Sequence, residues 1–151
     1  MGRIVTAAEA LRRVPQQEPF RFVDEILELS AERIAGVYRW RPEADFYRGH
    51  FPGNPVTPGV LLVECMAQCS VVPLAVYLFF RDYEQDAEKF QTLFTDAAVE
   101  FSGIVRPGDR VRTEAKVLFW RRRKLRVQAE MRREDGALVC SGTLAGIGVI
   151  R

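Results

Sequence analysis

One long apolar segment, residues 59–80, does most to limit what this chain can fold into. Its sequence is GVLLVECMAQCSVVPLAVYLFF, and at 1.5 Å per residue a helix over it would be long enough to cross a lipid bilayer. However, the segment contains Glu64 and Gln68, has Pro73 in its interior, and has no lysine or arginine directly before it. A helix that is apolar on nearly all sides is otherwise found buried inside a protein. We therefore predict a buried core helix and no membrane span.

The composition of the chain allows it to form a hydrophobic core around such a helix. Of the 151 residues, 48% are hydrophobic and 28% are charged, which is typical of a globular protein, and a chain of this size buries roughly two-thirds of its unfolded surface. It therefore needs neither disulfides nor a metal to stabilise a core. The three cysteines are an odd number and we recognise no signal peptide, so we expect packed, reduced thiols and a cytoplasmic location.

The remaining pattern predicts strands on either side of the apolar helix. A short helix over residues 6–14 is indicated by Thr6 as N-cap, Glu9 at the capping-box position and Pro15 after it. Segments rich in β-branched and aromatic side chains predict six strands, over residues 20–29, 33–41, 92–101, 111–120, 125–132 and 138–150. Between them we expect a long ordered loop over residues 42–58 and a polar surface connection over residues 81–89.

Strands grouped around one long helix predict an α+β fold, in which an antiparallel sheet wraps around that helix. This architecture is the hot-dog fold, and we expect residues 1–151 to form a single domain of this kind. The edges of such an open sheet need protection, and pairing between two subunits supplies it. We therefore predict a homodimer.

His50 is the only histidine in the chain, which excludes a site built from several histidines of one subunit. We predict no metal and no cofactor. His50 lies within residues 49–59, GHFPGNPVTPG, where three prolines and three glycines fix a particular backbone path. Loops held by a scaffold often carry function, but a lone histidine is also commonly a hydrogen-bonded structural residue. On this pattern alone both interpretations stay open.

Glu64 follows fourteen residues later, among apolar neighbours in the second turn of the predicted helix. A carboxylate in such surroundings has a partner or is protonated, because an unpaired buried charge is costly. Gln68, one turn further on, is placed to orient it; an arginine from the sheet is the alternative partner. The free N–H groups of Gly59 and Val60 at the helix start suit a carbonyl oxygen that gains negative charge. Together these groups favour enolisation next to a carbonyl, whereas no nucleophile-elbow motif supports a serine hydrolase.

Charge is distributed unevenly along the chain. Residues 1–100 hold 10 basic and 15 acidic side chains, whereas residues 101–151 hold 12 basic and 5 acidic ones. The densest basic run covers residues 121–124 and indicates either a solvated turn between strands or a surface for an acidic partner. No interleaved aromatic motif of a nucleic-acid-binding fold accompanies this charge, so we expect no nucleic-acid partner.

Residues 49–68, GHFPGNPVTPGVLLVECMAQ, resemble the active-site signature of the FabZ-type 3-hydroxyacyl-acyl-carrier-protein dehydratases, a hot-dog family of fatty-acid synthesis. The resemblance extends from about Leu11 to Ile147 and includes Pro19-Phe20 and the Arg-Pro-Gly-Asp segment at residues 106–109. It implies a hydro-lyase that removes water from 3-hydroxyacyl thioesters of acyl carrier protein and leaves trans-2-enoyl thioesters.

By this resemblance His50 is the catalytic base and Glu64 the catalytic acid that protonates the leaving 3-hydroxyl group. The oxyanion-binding and substrate-binding residues are then Phe51, Gly59, Val60 and Gln68. The family also implies that His50 of one subunit works with Glu64 of the other, in a homodimer or a trimer of dimers. Its dehydratase-isomerase branch carries aspartate at the Glu64 position, so we expect dehydration without a double-bond shift.

The chain departs from the family in two segments. PQQEPF (residues 15–20) stands where PHRYPF is usual, and TDAAVEFSGIV (residues 95–105) stands where a sequence like GIDEARFKRPV is usual. The second segment lacks the basic residues that help to dock the acidic carrier protein in the family. We expect other basic residues to take this role, namely Arg106, Arg110, Arg121, Arg122, Arg123 and Lys124. Polyketide or polyene assembly, a hot-dog thioesterase and a non-catalytic acyl-thioester-binding protein stay open as alternatives.

Overall fold

The computed structural model describes residues 2–151, apart from the side chain of Glu84. Its three α-helices are α1 (Ala7–Arg12), α2 (Gly59–Gln68) and α3 (Val71–Asp82). Two short 3-10 helices cover Asp45–Arg48 and Glu84–Lys89. The six strands are β1 (Glu25–Leu29), β2 (Arg33–Arg39), β3 (Phe90–Phe101), β4 (Arg110–Arg121), β5 (Lys124–Arg133) and β6 (Leu138–Ile150).

The six strands form one sheet in the order β1-β2-β4-β5-β6-β3, and every neighbouring pair is antiparallel. Along β4 and β5, buried side chains alternate with more exposed ones, as expected for a sheet covered on one face. The inward-facing residues of β5 are fully buried, namely Leu125, Val127, Ala129 and Met131. They pack with α2 and α3 in one hydrophobic core. The predicted antiparallel sheet around a long central helix is confirmed.

The central helix is interrupted at Cys69 and Ser70, between α2 and α3. Pro73 has no N–H to donate to the carbonyl of Cys69, and its ring would crowd that carbonyl in a continuous helix. The N–H of Ser70 donates to the carbonyl of Ala67 at 3.1 Å, and its hydroxyl donates to the carbonyl of Met66 at 2.6 Å. The two segments together span Gly59–Asp82, so the predicted helix over residues 59–80 is present with a break that Pro73 explains.

The helical span Gly59–Asp82 is long and apolar enough to cross a membrane when judged by length and composition alone. In its most apolar window the mean hydropathy is 1.8, and 67% of that window is buried inside the fold. A membrane-crossing helix would turn these side chains toward lipid, whereas here they contact the sheet. Their burial favours the interpretation as a core helix.

The first predicted strand is shorter than expected, because β1 begins at Glu25 rather than at residue 20. The backbone of residues 20–22 binds a side chain instead of a neighbouring strand. The N–H of Phe22 donates to Oε1 of Gln68 at 2.6 Å, and the carbonyl of Phe20 accepts from Nε2 of the same residue at 3.0 Å. These bonds use the backbone groups that a longer β1 would need.

Helix α1 begins as predicted. The Thr6 hydroxyl oxygen accepts the N–H of Glu9 at 3.1 Å, which is the expected N-cap bond. The Glu9 carboxylate does not turn back to the cap, because it pairs with Arg3 at 2.6 Å and with Arg13 at 3.2 Å. The capping-box role expected for Glu9 is thus replaced by two ion pairs.

Gly36 of β2 faces the interruption between α2 and α3. A Cβ at this position would lie 2.9 Å from both the Cβ and the carbonyl oxygen of Cys69, which is too close for real carbon contacts. We expect Gly36→Ala to lower the free energy of unfolding by about 2 kcal/mol, because strand and helix must shift apart. Urea unfolding measures the difference. Gly49→Ala is the matched control, since the nearest atom there is 4.0 Å away; equal losses in both variants would contradict the steric explanation.

Candidate active site

His50 lies in a loop that is closed by its own backbone hydrogen bonds. The N–H of His50 donates to the carbonyl of Phe46 at 3.1 Å, in the 3-10 helix that leads into the loop. The carbonyl of His50 accepts the N–H of Val56 at 2.8 Å. Between these two positions, Phe51 and Asn54 exchange backbone hydrogen bonds of 3.2 and 2.9 Å. The backbone of His50 is therefore held from both sides.

A buried pair of hydroxyl groups, on Tyr47 and Thr57, joins the two ends of this loop. Their oxygen atoms lie 2.6 Å apart, and both side chains are buried. The N–H of Thr57 also donates to the carbonyl of Val105 at 2.8 Å, which attaches the loop to the chain before β4. This pair has no signal in the sequence, because a tyrosine and a threonine at this spacing form no recognisable motif. Tyr47 and Thr57 hold the loop that positions His50.

The imidazole of His50 is oriented by one hydrogen bond and one ring contact. Its Nδ1 lies 2.8 Å from the carbonyl oxygen of Val56, and its ring stacks on that of Phe51 with the centroids 4.1 Å apart. A carbonyl oxygen only accepts hydrogen bonds, so Nδ1 carries the hydrogen. In the neutral ring the lone pair then lies on Nε2, which is the atom that can take up a proton.

The Glu64 carboxyl is oriented by Gln68, which lies one turn further along α2. The amide Nε2 of Gln68 donates to Oε1 of Glu64 at 2.8 Å, as the spacing in the sequence predicts. Gln68 cannot reverse its amide, because its Oε1 accepts the N–H of Phe22 and its Nε2 also donates to the carbonyl of Phe20. The Glu64 Oε1 atom is thereby kept as an acceptor, and a proton on this carboxyl sits on Oε2.

Burial raises the pKa of Glu64 above its ordinary value, and the hydrogen bond from Gln68 opposes this shift. The alternative partner, an arginine of the sheet, is not found: none of the ion pairs seen within residues 2–151 includes Glu64. The carboxyl therefore lacks the cation that would stabilise its ionised form, and the protonated form is favoured relative to a glutamate in water.

Glu64 borders a cavity of about 190 Å³ between the central helix and the edge strand β3. The apolar part of its lining includes Ala67, Val71, Val72, Leu93 and Phe94. His50 is not among the lining residues, and no hydrogen bond or ring contact described for residues 2–151 joins His50 to Glu64. Within the described part of one chain, the side chains of His50 and Glu64 therefore share neither a contact nor a cavity.

Gly59 and Val60 are the first two residues of α2. N–H groups at the start of a helix have no carbonyl acceptor within that helix. Gly59 and Val60 border an open groove of about 420 Å³, against the β3 residues Val99 and Phe101. The ring of Phe101 lies 3.3 Å from the position that a Cβ on Gly59 would occupy, and Val60 is 79% exposed. A side chain at position 59 would therefore press against this ring and narrow the groove.

The basic residues predicted to dock a carrier protein fall into two groups. Arg106 and Arg110 lie before and at the start of β4, and Nη1 of Arg106 donates to Oδ1 of Asn54 in the His50 loop at 3.4 Å. The basic run at residues 121–124 forms the turn from β4 to β5, as one interpretation of the sequence predicts, with Arg122 and Arg123 at positive φ. The twelve residues of β4 separate the groups by about 40 Å. Of the first group, Arg106 thus contacts the loop that carries His50.

The three cysteines are free and buried, as expected of packing residues. Burial raises the pKa of the Cys140 thiol to about 12, and that of Cys65 is also raised by burial. Thiols with raised pKa values are poor nucleophiles and poor metal ligands. Within residues 2–151 there is also no group of three or more His, Cys, Asp or Glu side chains that could hold a metal ion.

Comparison with known proteins shows the family of this chain. The family model described as "FabA-like domain" matches residues 14–143. The 3-hydroxyacyl-acyl-carrier-protein dehydratase FabZ of Syntrophobacter fumaroxidans is 33% identical over 144 residues, which cover 95% of each chain. The chain belongs to the FabZ-type dehydratase family. Another member, FabZ of Lactobacillus helveticus, is 32% identical over 149 residues, which cover 95% of this chain and 93% of that relative.

Solved structures support the same fold. The dehydratase heterocomplex ApeI:P from Xenorhabdus doucetiae superposes with a TM-score of 0.73 and 13% identity, over 94% of this chain and 91% of that one. A thioesterase from Haemophilus influenzae superposes with a TM-score of 0.68 and 14% identity, over 99% and 94% of the two chains. At such low identity these similarities bear on the fold alone, and they confirm the predicted hot-dog fold for this member of the FabZ-type family.

The raised pKa of Glu64 predicts a pH-dependent effect on stability. The unfolded chain ionises Glu64 near its ordinary pKa, whereas the folded chain does so at a higher pH, so folding loses stability as pH rises from about 4.5 through the folded pKa. Glu64→Gln removes this ionisation and keeps an acceptor for Gln68. We expect the variant and the wild type to differ little near pH 4.5, and the variant to be the more stable of the two near pH 8.

Urea unfolding of both proteins across this pH range provides the measurement. Glu43→Gln, the same change at an exposed position, controls for the loss of one negative charge. A stability difference that stays constant with pH, or that favours the wild type as pH rises, would contradict the raised pKa of Glu64.

Proposed function

We propose that this protein dehydrates 3-hydroxyacyl thioesters of acyl carrier protein to trans-2-enoyl thioesters, with His50 as the base and Glu64 as the acid. Membership of the FabZ-type family supports the reaction. The assignment of roles rests on one observation above all: the Val56 carbonyl keeps the hydrogen of His50 on Nδ1, so that Nε2 is free to accept a proton. Glu64 is suited to donate a proton, because burial raises its pKa and so favours its protonated form.

The reaction then needs two proton transfers and no nucleophile. Nε2 of His50 removes a proton from the carbon next to the thioester carbonyl, and the electron pair forms the new double bond as the bond from C3 to oxygen breaks. Oε2 of Glu64 gives its proton to the leaving hydroxyl group, which departs as water. His50 is left protonated and Glu64 ionised, so a proton must pass from the imidazolium to the carboxylate, directly or through water, before the next turnover.

The N–H groups of Gly59 and Val60 are the proposed donors to the thioester oxygen. They are the first two N–H groups of α2, where the helix dipole favours negative charge. The absence of a side chain on Gly59 keeps space between its backbone and the ring of Phe101. Phe51, which stacks on His50 and is 52% exposed, is placed to contact the substrate beside the base.

We infer that the complete site forms between two copies of the chain. Within one chain His50 does not border the cavity beside Glu64. The edge strand β3 has only β6 as a neighbour in the sheet, and it exposes the large apolar side chains of Leu93, Phe94 and Phe101. Pairing of this edge with a second copy would cover them and would bring a second His50 toward Glu64. A trimer of such dimers and a cytoplasmic location stay predictions.

Of the two basic groups, we propose that Arg106 and Arg110 contribute to carrier-protein docking. Arg106 is exposed and contacts Asn54 in the loop that carries His50. In the second group, Arg123 lies over the ring of Phe90 at 5.6 Å and Lys124 pairs with Asp96 at 3.6 Å. That group is therefore partly occupied by contacts within the chain, and docking there stays a prediction.

A mixed dimer tests both the catalytic roles and the shared site. We expect His50→Ala and Glu64→Ala each to lower the dehydration rate by at least about 100-fold. Co-expression of the two variants with different tags allows the mixed dimer to be purified. One of its two sites would combine the intact His50 of one subunit with the intact Glu64 of the other, so about half of the wild-type activity should return. A mixed dimer as inactive as its parents would place each site within a single subunit.

Charge reversal tests the docking proposal. We expect Arg106→Glu to lower kcat/KM by about tenfold for substrates carried on acyl carrier protein, because it repels an acidic surface. With N-acetylcysteamine thioesters, which lack the carrier, the loss should be much smaller. Arg122→Glu, measured in the same way, tests the β4–β5 turn. Equal losses with both types of substrate would mean that Arg106 acts on the His50 loop rather than on the carrier.

A further inference from the structure

A second cavity, of about 350 Å³, lies at the other end of β3 from the groove at Gly59, between α1, α3 and the start of β3. Its floor is apolar and includes Val76, Phe79 and Phe80 of α3. Its rim is charged and consists of Arg12, Arg13, Glu88 and Arg151. The lining of the cavity thus contains both apolar and charged side chains, and no step of the proposed reaction uses it.

This cavity adjoins the one that borders Glu64. Val72 of α3 and Thr92 of β3 line both of them. Val72 follows Glu64 by eight residues of the central helix, which is about 12 Å, and Val76 lies about 6 Å further on. An acyl chain that starts beside Glu64 and follows the helix would reach the second cavity by passing Val72 and Thr92.

The rim of the second cavity has an excess of positive charge. It contains three guanidinium groups and one carboxylate. The carboxylate, Glu88, is paired with Arg13 at 3.1 Å, and Arg13 also binds Glu9 at 3.2 Å and lies over the ring of Phe80. Arg13 is thereby fully engaged within the chain.

The other two guanidinium groups are available to a ligand. Arg151 donates to the backbone carbonyl of Glu88 at 2.7 Å, and no ion pair described for residues 2–151 joins Arg12 or Arg151 to a carboxylate. Arginine binds carboxylates through two parallel, charge-assisted hydrogen bonds. The rim therefore offers two cationic groups suited to an acidic ligand at the far end of the acyl path.

We infer that the second cavity is a distal subsite for acyl chains that end in a carboxylate, so that the preferred substrates are 3-hydroxyacyl thioesters with an acidic far end. This inference rests on the proposed function. The methylene groups would lie against Val76 and Phe79, and the terminal carboxylate would meet Arg12 and Arg151. A methyl end would gain nothing from these two groups, whereas a carboxylate gains charge-assisted hydrogen bonds at a rim that water also reaches.

Synthetic thioesters of N-acetylcysteamine test the inference without a carrier protein, so that docking cannot contribute. Pairs of 3-hydroxyacyl substrates of equal length, one ending in a methyl group and one in a carboxylate, are compared over a series of lengths. At the length that reaches the rim, we expect kcat/KM to be about tenfold higher for the carboxylate. Arg12→Gln should bring that ratio close to one, and Arg151→Gln should lower it. Arg33→Gln, an equal loss of charge at an exposed position on β2, should leave the ratio unchanged.

Activity across the whole substrate series separates the possible failures. If the wild type dehydrates no 3-hydroxyacyl thioester of the series, whether it is carried on N-acetylcysteamine or on acyl carrier protein, the proposed function fails and the inference fails with it. If it dehydrates these substrates but shows no preference for a carboxylate at any length, the inference alone is overturned. A preference that survives in both Arg12→Gln and Arg151→Gln also overturns it, since the rim would then not be its source.

Discussion

The side-chain amide of Gln68 connects the fold of this protein to its chemistry. It is fully buried and makes three hydrogen bonds, two to the backbone of residues 20–22 and one to Glu64. The first two bonds occupy backbone groups that β1 would need in order to begin earlier, and they fix the orientation of the amide. The third then leaves Oε1 of Glu64 as an acceptor and directs its proton to Oε2. One residue thus determines both the path of the chain before β1 and which oxygen of Glu64 can carry a proton.

His50, the proposed base, is positioned by loop contacts rather than by a helix. Glu64 lies on a regular helix, whereas His50 lies in an irregular loop that needs several tethers: backbone bonds at both ends, the Tyr47–Thr57 hydroxyl pair, and the Val56 carbonyl. The Val56 carbonyl leaves the lone pair of the neutral imidazole on Nε2. The proposed base and the proposed acid are therefore oriented by separate sets of contacts, and assembly of two chains is what we propose brings them together.

Much of this could be predicted from the sequence. The apolar run, the strand segments and the spacing of Glu64 and Gln68 depend on local periodicity, which a single sequence shows directly. The Tyr47–Thr57 pair and the bonds from Gln68 to residues 20–22 join positions whose contact depends on the tertiary fold, and neither has a sequence signature. The break at Cys69 and Ser70 follows from Pro73, but its position depends on backbone hydrogen bonds that the sequence does not show. The separation of the basic residues into two groups could have been predicted, because the twelve residues of β4 keep its two ends far apart.

The interruption of the central helix has a consequence for how such a protein can diverge. Gly59, Glu64 and Gln68 all belong to α2, whereas Val72 and Val76, which we propose continue the acyl path, belong to α3. Since the hydrogen-bond ladder does not run unbroken from one segment to the other, a change of side-chain volume in α3 need not rotate the acid in α2. With the proposed roles, reaction chemistry belongs to α2 and substrate length to α3, so that selection can alter substrate length while the chemistry is preserved.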